Sequence, residues 1–210
     1  MARIAYVSTK EGDALSVRSK ANGEIVGSIS NGSEVTVISE PVFSGSRNWV
    51  QIGVNRWIAS EFIVTINKAR VVASRSKNTI NGLRVYETRL IDSTGKVVNT
   101  VRAVSGRADK QTPSDIAGSQ TPLPFGIYTF DFPGIVEKKD GEFGGVWSPV
   151  TPNFQTGRSE IGIHYDPSAL KNNANSGTAG CFATPTIQER DVMTSFIRTH
   201  KPTHFAVYDS

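Results

Sequence analysis

The sequence predicts a mainly β protein: a small barrel of short strands, then a larger β domain carrying one or two helices. Three observations predict it. Apolar and polar residues alternate in short runs along most of the chain. Turn signals (Asn22-Gly23, Asn31-Gly32, Ser44-Gly45) recur at roughly ten-residue intervals through the first third. Only one stretch, "TIQERDVMTSFIRTH" at 186–200, has helical periodicity.

The elements follow in order. "ALSVRS", "EIVGSI", "SEVTVIS", "NWVQIG" and "RWIASEFIVT" are five or so strands of a small closed β unit spanning residues 1–66. Trp49 and Trp57 in the last two either fill its core or line a binding groove. Residues 67–79, within "NKARVVASRSKNTI", are a linker merging into the first strand of the domain at 80–210. In that domain "LRVYETRLIDSTGKVVNTVRAVSG" is a hairpin turning at Ser93-Thr94-Gly95, and Pro122 and Pro124 precede a strand over Gly126–Phe132. Thr186 with Glu189 three positions on makes a capping box for the helix. Its buried stripe is expected to be Ile187, Val192, Phe196 and Ile197. "HFAVYD" closes the chain as a strand.

Composition excludes several function classes. The content is 38% hydrophobic and 20% charged, which is that of a globular protein and not a disordered one. No run approaches the eighteen or so apolar residues of a membrane span, so none is expected. The net charge is +4, and the excess is confined to the second part: residues 1–66 hold six basic and six acidic residues, residues 67–210 hold 17 and 13. No basic run or aromatic–basic interleaving marks a nucleic-acid surface. A mildly basic surface suits an anionic polymer such as a cell wall, although solubility alone also accounts for it. "MARIAYVSTKEGDAL" shows no basic-then-apolar export segment, so an envelope or secreted location requires a removed leader or another route.

The residues that point to chemistry lie in "IGIHYDPSALKNNANSGTAGCF", 161–182. The single cysteine, Cys181, cannot form an internal disulfide and follows a Gly/Asn-rich loop, with His164 17 positions before it. A thiol becomes a nucleophile when a base takes its proton, and a histidine can be that base. Gly180 permits close backbone approach, and amides around 180–183 are candidate oxyanion donors. The alternative is an inert, buried cysteine beside a structural histidine. Ser176 or Thr178 are candidate hydrogen-bonding groups for substrate. Arg158, six positions before His164, is either a carboxylate-binding guanidinium or a solvated strand-end residue. The Gly/Pro-rich stretch 133–157, with Trp147 and Phe154, is read as a lid over the cleft, against the alternative of a hydrophobic plug. His200 and His204 flank Pro202, which breaks a helix between them, so no metal site is expected there.

Two resemblances extend these readings. "LSVRSKANGEIVGSISNGSEVTVIS" and "NWVQIGVNRWIASEFI" resemble the opening and the closing hairpin of a bacterial SH3-like domain, a module that often accompanies cell-wall enzymes. Residues 80–210 resemble the catalytic domain of the L,D-transpeptidases (the YkuD-like family), a β-sandwich. "LRVYETRLIDSTGKVV", "VRAVSG", "TPLPFGIYTF", "IGIH" and "SGTAGCF" follow that family's order of elements. The resemblance implies a thioester-forming enzyme acting on peptidoglycan tetrapeptide stems without a cofactor. Cys181 is then the nucleophile, His164 the base and the backbone of Tyr165 the group that orients the imidazole; Trp147, Arg158, Ser176 and Thr178 are this chain's own candidates for substrate contact, not carried over from the family. Two departures bear on the acceptor. Ala179 stands where the family has a second histidine, and the arginine usual after the cysteine is missing from "CFATP". Cross-linking, hydrolysis to the tripeptide and exchange of the terminal D-amino acid therefore all remain open, the last two including secreted antibacterial effectors. A non-catalytic wall-binding protein is a further alternative. The sequence leaves the oligomeric state and the ligand of the SH3-like part open.

Overall fold

A computed structural model describes residues 2–210. These residues are mainly β, with one α-helix and a closed eight-stranded barrel among them. No helix among the described residues is long and apolar enough to cross a membrane.

Residues 3–64 form eight short strands: β1 (Arg3–Val7), β2 (Leu15–Arg18), β3 (Ile25–Ile29), β4 (Glu34–Val37), β5 (Val42–Ser44), β6 (Arg47–Gly53), β7 (Arg56–Ala59) and β8 (Ile63–Val64). They make a three-stranded sheet, β4-β1-β8, and a five-stranded one, β3-β2-β7-β6-β5. Alternating residues such as Val7, Val17, Val37, Val50 and Ile58 bury a common core. The turns use positive φ at Asn22, Gly32 and Gly45, as their residue types predict, and also at Asn55 between β6 and β7. Trp49 belongs to the buried side of this unit, its indole N–H donating to the Ser44 carbonyl at 3.0 Å, while Trp57 is half-buried.

The second part comprises β9 (Arg70–Ile80), β10 (Leu83–Ile91), β11 (Val97–Arg107), β12 (Gly126–Phe130), β13 (Trp147–Pro152), β14 (Gly162–Tyr165), β15 (Gly177–Thr184), α1 (Ile187–His200) and β16 (His204–Asp209). Where the sequence reading has a sandwich, the strands close into one ring, β10-β11-β15-β14-β13-β12-β16-β9. Six junctions are antiparallel; β14–β15 and β16–β9 are parallel. Tyr86, Tyr128, Phe130, Phe182 and Phe205 fill the interior, with Phe182 and Phe205 ring centroids 4.7 Å apart.

Three expectations need correction. Most of the stretch read as a linker is β9, a barrel strand. Val71 and Ala73 face the barrel core while Val72 faces a second cluster shared with Tyr6 and Ile66, so burial on both faces hides the alternation. The helix is capped as expected, Thr186 Oγ1 accepting from the Glu189 amide at 3.2 Å, but its buried stripe is Met193, Phe196 and Ile197. Val192 is only half-buried, and Ile187, in the first turn, is exposed. Of the stretch 133–157, Trp147–Pro152 is strand β13 and Phe154 is core, so only 133–146 overhangs the barrel.

The two parts are docked by buried polar and apolar contacts. Arg70 Nε donates to the Tyr6 hydroxyl at 2.7 Å, Tyr6 donates to Glu34 at 2.9 Å, and Glu34 pairs with Arg89 at 3.2 Å. Burial, partly offset by Arg70, pushes the Tyr6 phenol up to about 12. The Gln155 amide donates to the Lys10 carbonyl at 2.8 Å, and Phe154 lies against Gly12. Gly32, at φ +81°, packs so tightly on β12 and β16 that a Cβ would stand 2.3 Å from the Val207 carbonyl oxygen and 2.8 Å from that of Gly126. Gly32→Ala is therefore expected to destabilise the whole protein by about 2–3 kcal/mol in denaturant unfolding. Gly27→Ala, at an open position with ordinary φ, should change stability by less than about 0.5 kcal/mol.

Candidate active site

The parallel pair β14–β15 places the two reactive groups. Its register sets Ile163 beside Phe182 and His164 beside Ala183, with Ile163 and Phe182 in the barrel core. Side chains alternate across a strand, so His164 and Cys181 project from the outer face. Both line a cleft of about 900 Å³.

His164 is buried beneath the overhang. The Phe143 ring stands 5.2 Å from the imidazole and the Trp147 ring 6.1 Å, and the Lys139 ammonium sits 4.2 Å from both aromatic rings. Two glycines make room: a Cβ on Gly162 would meet the Trp147 ring at 2.5 Å, and one on Gly144 would meet the Tyr165 ring at 2.2 Å. His164 Nδ1 lies 2.9 Å from the Tyr165 carbonyl. A carbonyl only accepts, so Nδ1 carries the hydrogen and Nε2 keeps its lone pair as a base. Burial lowers the imidazole pKa below its ordinary 6.5, opposed by the Tyr165 carbonyl and the Asp166 carboxylate.

Cys181 Sγ reaches the Glu160 carbonyl at 3.7 Å. Burial raises its pKa above 9.0, opposed by the Gly162 amide and by the positive charge of Arg158. The resting pair is thus a neutral thiol and a neutral imidazole, which a bound substrate must convert.

Arg158 is buried and not solvated. Its Nη1 donates to the Ser114 carbonyl at 3.1 Å and lies 3.5 Å from that of Thr121. Its Nη2 lies across Gly180, where a Cβ would stand only 1.6 Å away. Gly180 therefore serves close approach, but of this guanidinium rather than of substrate. Its amide is also committed, donating to Thr178 Oγ1 at 3.1 Å, so it is not the free oxyanion donor that the sequence reading assigned.

Thr178 and Ser176 are loop braces. Thr178 Oγ1 accepts from the Gly106 amide at 3.0 Å and donates to the Cys181 carbonyl at 2.8 Å, fixing the turn that carries the thiol, and the residue borders the cleft. Ser176 is fully buried away from the cleft, its hydroxyl accepting from the Asn173 amide at 3.1 Å, so its expected substrate contact is replaced by a structural one. Ala179 is exposed to the cleft.

Sequence reasoning missed Phe143 and Lys139, which cover the base, and Asp166, which is buried two positions after it. The signal for Asp166 was "YDPS": an Asp-Pro-Ser turn directly after the histidine strand.

Comparison with models of known protein families, with curated proteins and with solved structures gave no match to this chain.

Two pH effects follow. The alkylation rate of Cys181 should titrate above the ordinary thiol value of 9.0, and Arg158→Gln should move it higher by removing an opposing cation. The measurement is iodoacetamide labelling across about pH 7–11. For His164 the folded pKa lies below the unfolded 6.5, so the unfolded chain binds its proton first. Its contribution to stability is complete above about 6.5 and is lost as pH falls toward the folded value. Denaturant unfolding should therefore show a shallower loss of stability below that pH in His164→Gln, with half-buried His204, lowered by the same cause, supplying a share in both proteins.

Proposed function

We propose that the protein is a peptidoglycan-modifying cysteine enzyme that acts on tetrapeptide stems through a thioester on Cys181, with L,D-transpeptidation as its reaction. In this reading the barrel of 70–209 is an L,D-transpeptidase-like (YkuD-like) catalytic domain, and the preceding strands are a bacterial SH3-like module. The protein then works in the periplasm or envelope, or is secreted. The observation that carries the reading is that Cys181 and His164, on neighbouring parallel strands, open into one cleft with the buried cation of Arg158 beside the thiol.

The chemistry is acyl transfer. His164 Nε2 takes the thiol proton as Sγ attacks the carbonyl of the third stem residue. The tetrahedral adduct collapses, the C–N bond to the terminal D-alanine breaks, and the leaving amine takes the proton from His164. Arg158 receives the carboxylate of that terminal residue. An acceptor amine then attacks the thioester carbonyl, the C–S bond breaks, and the thiolate recovers a proton.

Hydrolysis or D-amino-acid exchange is the second reading, because the cleft presents Ala179 where the resembled loop offers a histidine. A wall-binding protein without turnover is the third, favoured by burial that holds thiol and imidazole neutral.

Purified disaccharide-tetrapeptide incubated with the protein and read by mass spectrometry separates them. The wild type should release the terminal alanine, Cys181→Ala should release none, and His164→Ala should be slower by about 10²–10⁴-fold. Dimers joined between third residues denote transpeptidation, and tripeptide alone denotes hydrolysis. No product from the wild type, with binding to insoluble wall retained, overturns the catalytic reading.

A further inference from the structure

Among the described residues seven other than glycine hold a positive φ. Four are asparagine, whose side chain tolerates that region, and Lys201 ends α1. Only Gln120 and Glu160 lack such a reason, and of the two Glu160, at φ 54°, borders the cleft. Backbone held in a sparsely populated conformation costs stability, and such positions cluster where function needs them. At Glu160 the left-handed turn aims a carbonyl. The next carbonyl, that of Ile161, accepts from the Val150 amide at 3.0 Å as β14 joins β13. The Glu160 carbonyl has no backbone donor and accepts instead from the Cys181 thiol, with Sγ 3.7 Å from the oxygen. The His164 ring bonds Tyr165 through Nδ1, and no hydrogen bond among the described residues joins the ring to Sγ. The thiol therefore gives its hydrogen to a main-chain carbonyl and not to Nε2.

We propose that Glu160 is a positioning residue: its left-handed backbone aims a carbonyl that parks the Cys181 thiol, and the thiol must leave that carbonyl before His164 can take its proton. The inference rests on reading Cys181 and His164 as the reacting pair of the proposed acyl transfer. A carbonyl oxygen only accepts, so it bonds the thiol and repels the thiolate. The bond holds the protonated form and is lost with the proton, which makes release of the sulfur and its activation one event. An extended peptide in the cleft has amide N–H groups to offer that carbonyl in exchange, and the displaced thiol is then free to turn to the base. The charged groups around the cleft are Arg158 before β14, Lys139 and Glu142 on the overhang, Arg107 on β11, and Asp166 and Lys171 after β14. They are the same in every variant used below, so only the Glu160 carboxylate needs a control of its own.

The test uses the full chain, whose one cysteine is Cys181, so iodoacetamide uptake reads that thiol alone. Asparagine tolerates the left-handed region and valine does not. Glu160→Asn should keep the carbonyl in place and change the alkylation rate at about pH 8 by less than about twofold, which also measures what the carboxylate contributes. Glu160→Val should turn the carbonyl away, raise that rate by about three- to tenfold and lower the pH midpoint. The gain should vanish when His164→Gln is added to Glu160→Val, because the freed thiol then has no base to meet. Thermal melting checks each fold. No gain in Glu160→Val, an equal gain in Glu160→Asn, or a gain that survives loss of His164 overturns the assignment, the last because it denotes mere exposure. A second readout needs no change at Glu160. The S–H infrared stretch of the wild type should lie below that of a thiol in an apolar solvent and stay there in His164→Gln. A stretch at the free position, or one that moves with His164, also overturns the assignment. Failure of the underlying reading looks different: the parked-thiol pattern with no alanine release by the wild type rejects acyl transfer and leaves the positioning role, while alanine release with no response to Glu160→Val does the reverse.

Discussion

The parallel pairing of β14 with β15 is the constraint on which the site depends. A one-residue slip of either strand would turn its reactive group inward and its core residue outward: His164 for Ile163 on β14, or Cys181 for Phe182 on β15. Burial of Phe182 against Tyr86 and Phe205 opposes that shift, so the aromatic core beneath the cleft also fixes the reactive groups above it. Parallel neighbours also need a long connection, and the 166–176 loop that supplies it carries Asp166 into the cleft.

Glycine is used in the site to admit large side chains. Gly162 admits the Trp147 ring and Gly180 admits the Arg158 guanidinium, each at a distance that a methyl group would forbid. The aromatic cover and the buried cation thus reach the reacting groups through missing side chains. The cost is a neutral resting pair: the surroundings that would strengthen charge interactions with a bound substrate hold the thiol protonated before it arrives.

Much of this was legible where the physics is local. The alternation of "LRVYETRLI", the positive-φ turns at Gly32 and Gly45, and the Thr186 cap depend on a few adjacent residues, and the chain adopts them as read. Ring closure was not legible, because β16 pairs with β9 across more than a hundred residues. The same limit hid β9, whose outer face is covered by Tyr6 and Ile66 from the first part, so that Val71, Val72 and Ala73 are all buried. In the site, Cys181 and His164 stood out by residue type. Ser176 and the Gly180 amide were misassigned because their hydrogen-bond partners, Asn173 and Thr178, occupy them from within the same loop. Asp166 required knowledge of burial, which a lone acidic residue does not disclose.

The tie between Lys10 and Gln155 gives the first part of the chain a second role. Gln155 stands three residues before Arg158, and Phe154, wedged under Gly12, is continuous with the barrel core through Tyr128. The β1–β2 loop therefore acts as a splint for the segment that carries the buried cation. The amino-terminal unit is part of the cleft's scaffold, and cutting the chain after residue 66 would loosen the arm that holds the guanidinium against Gly180.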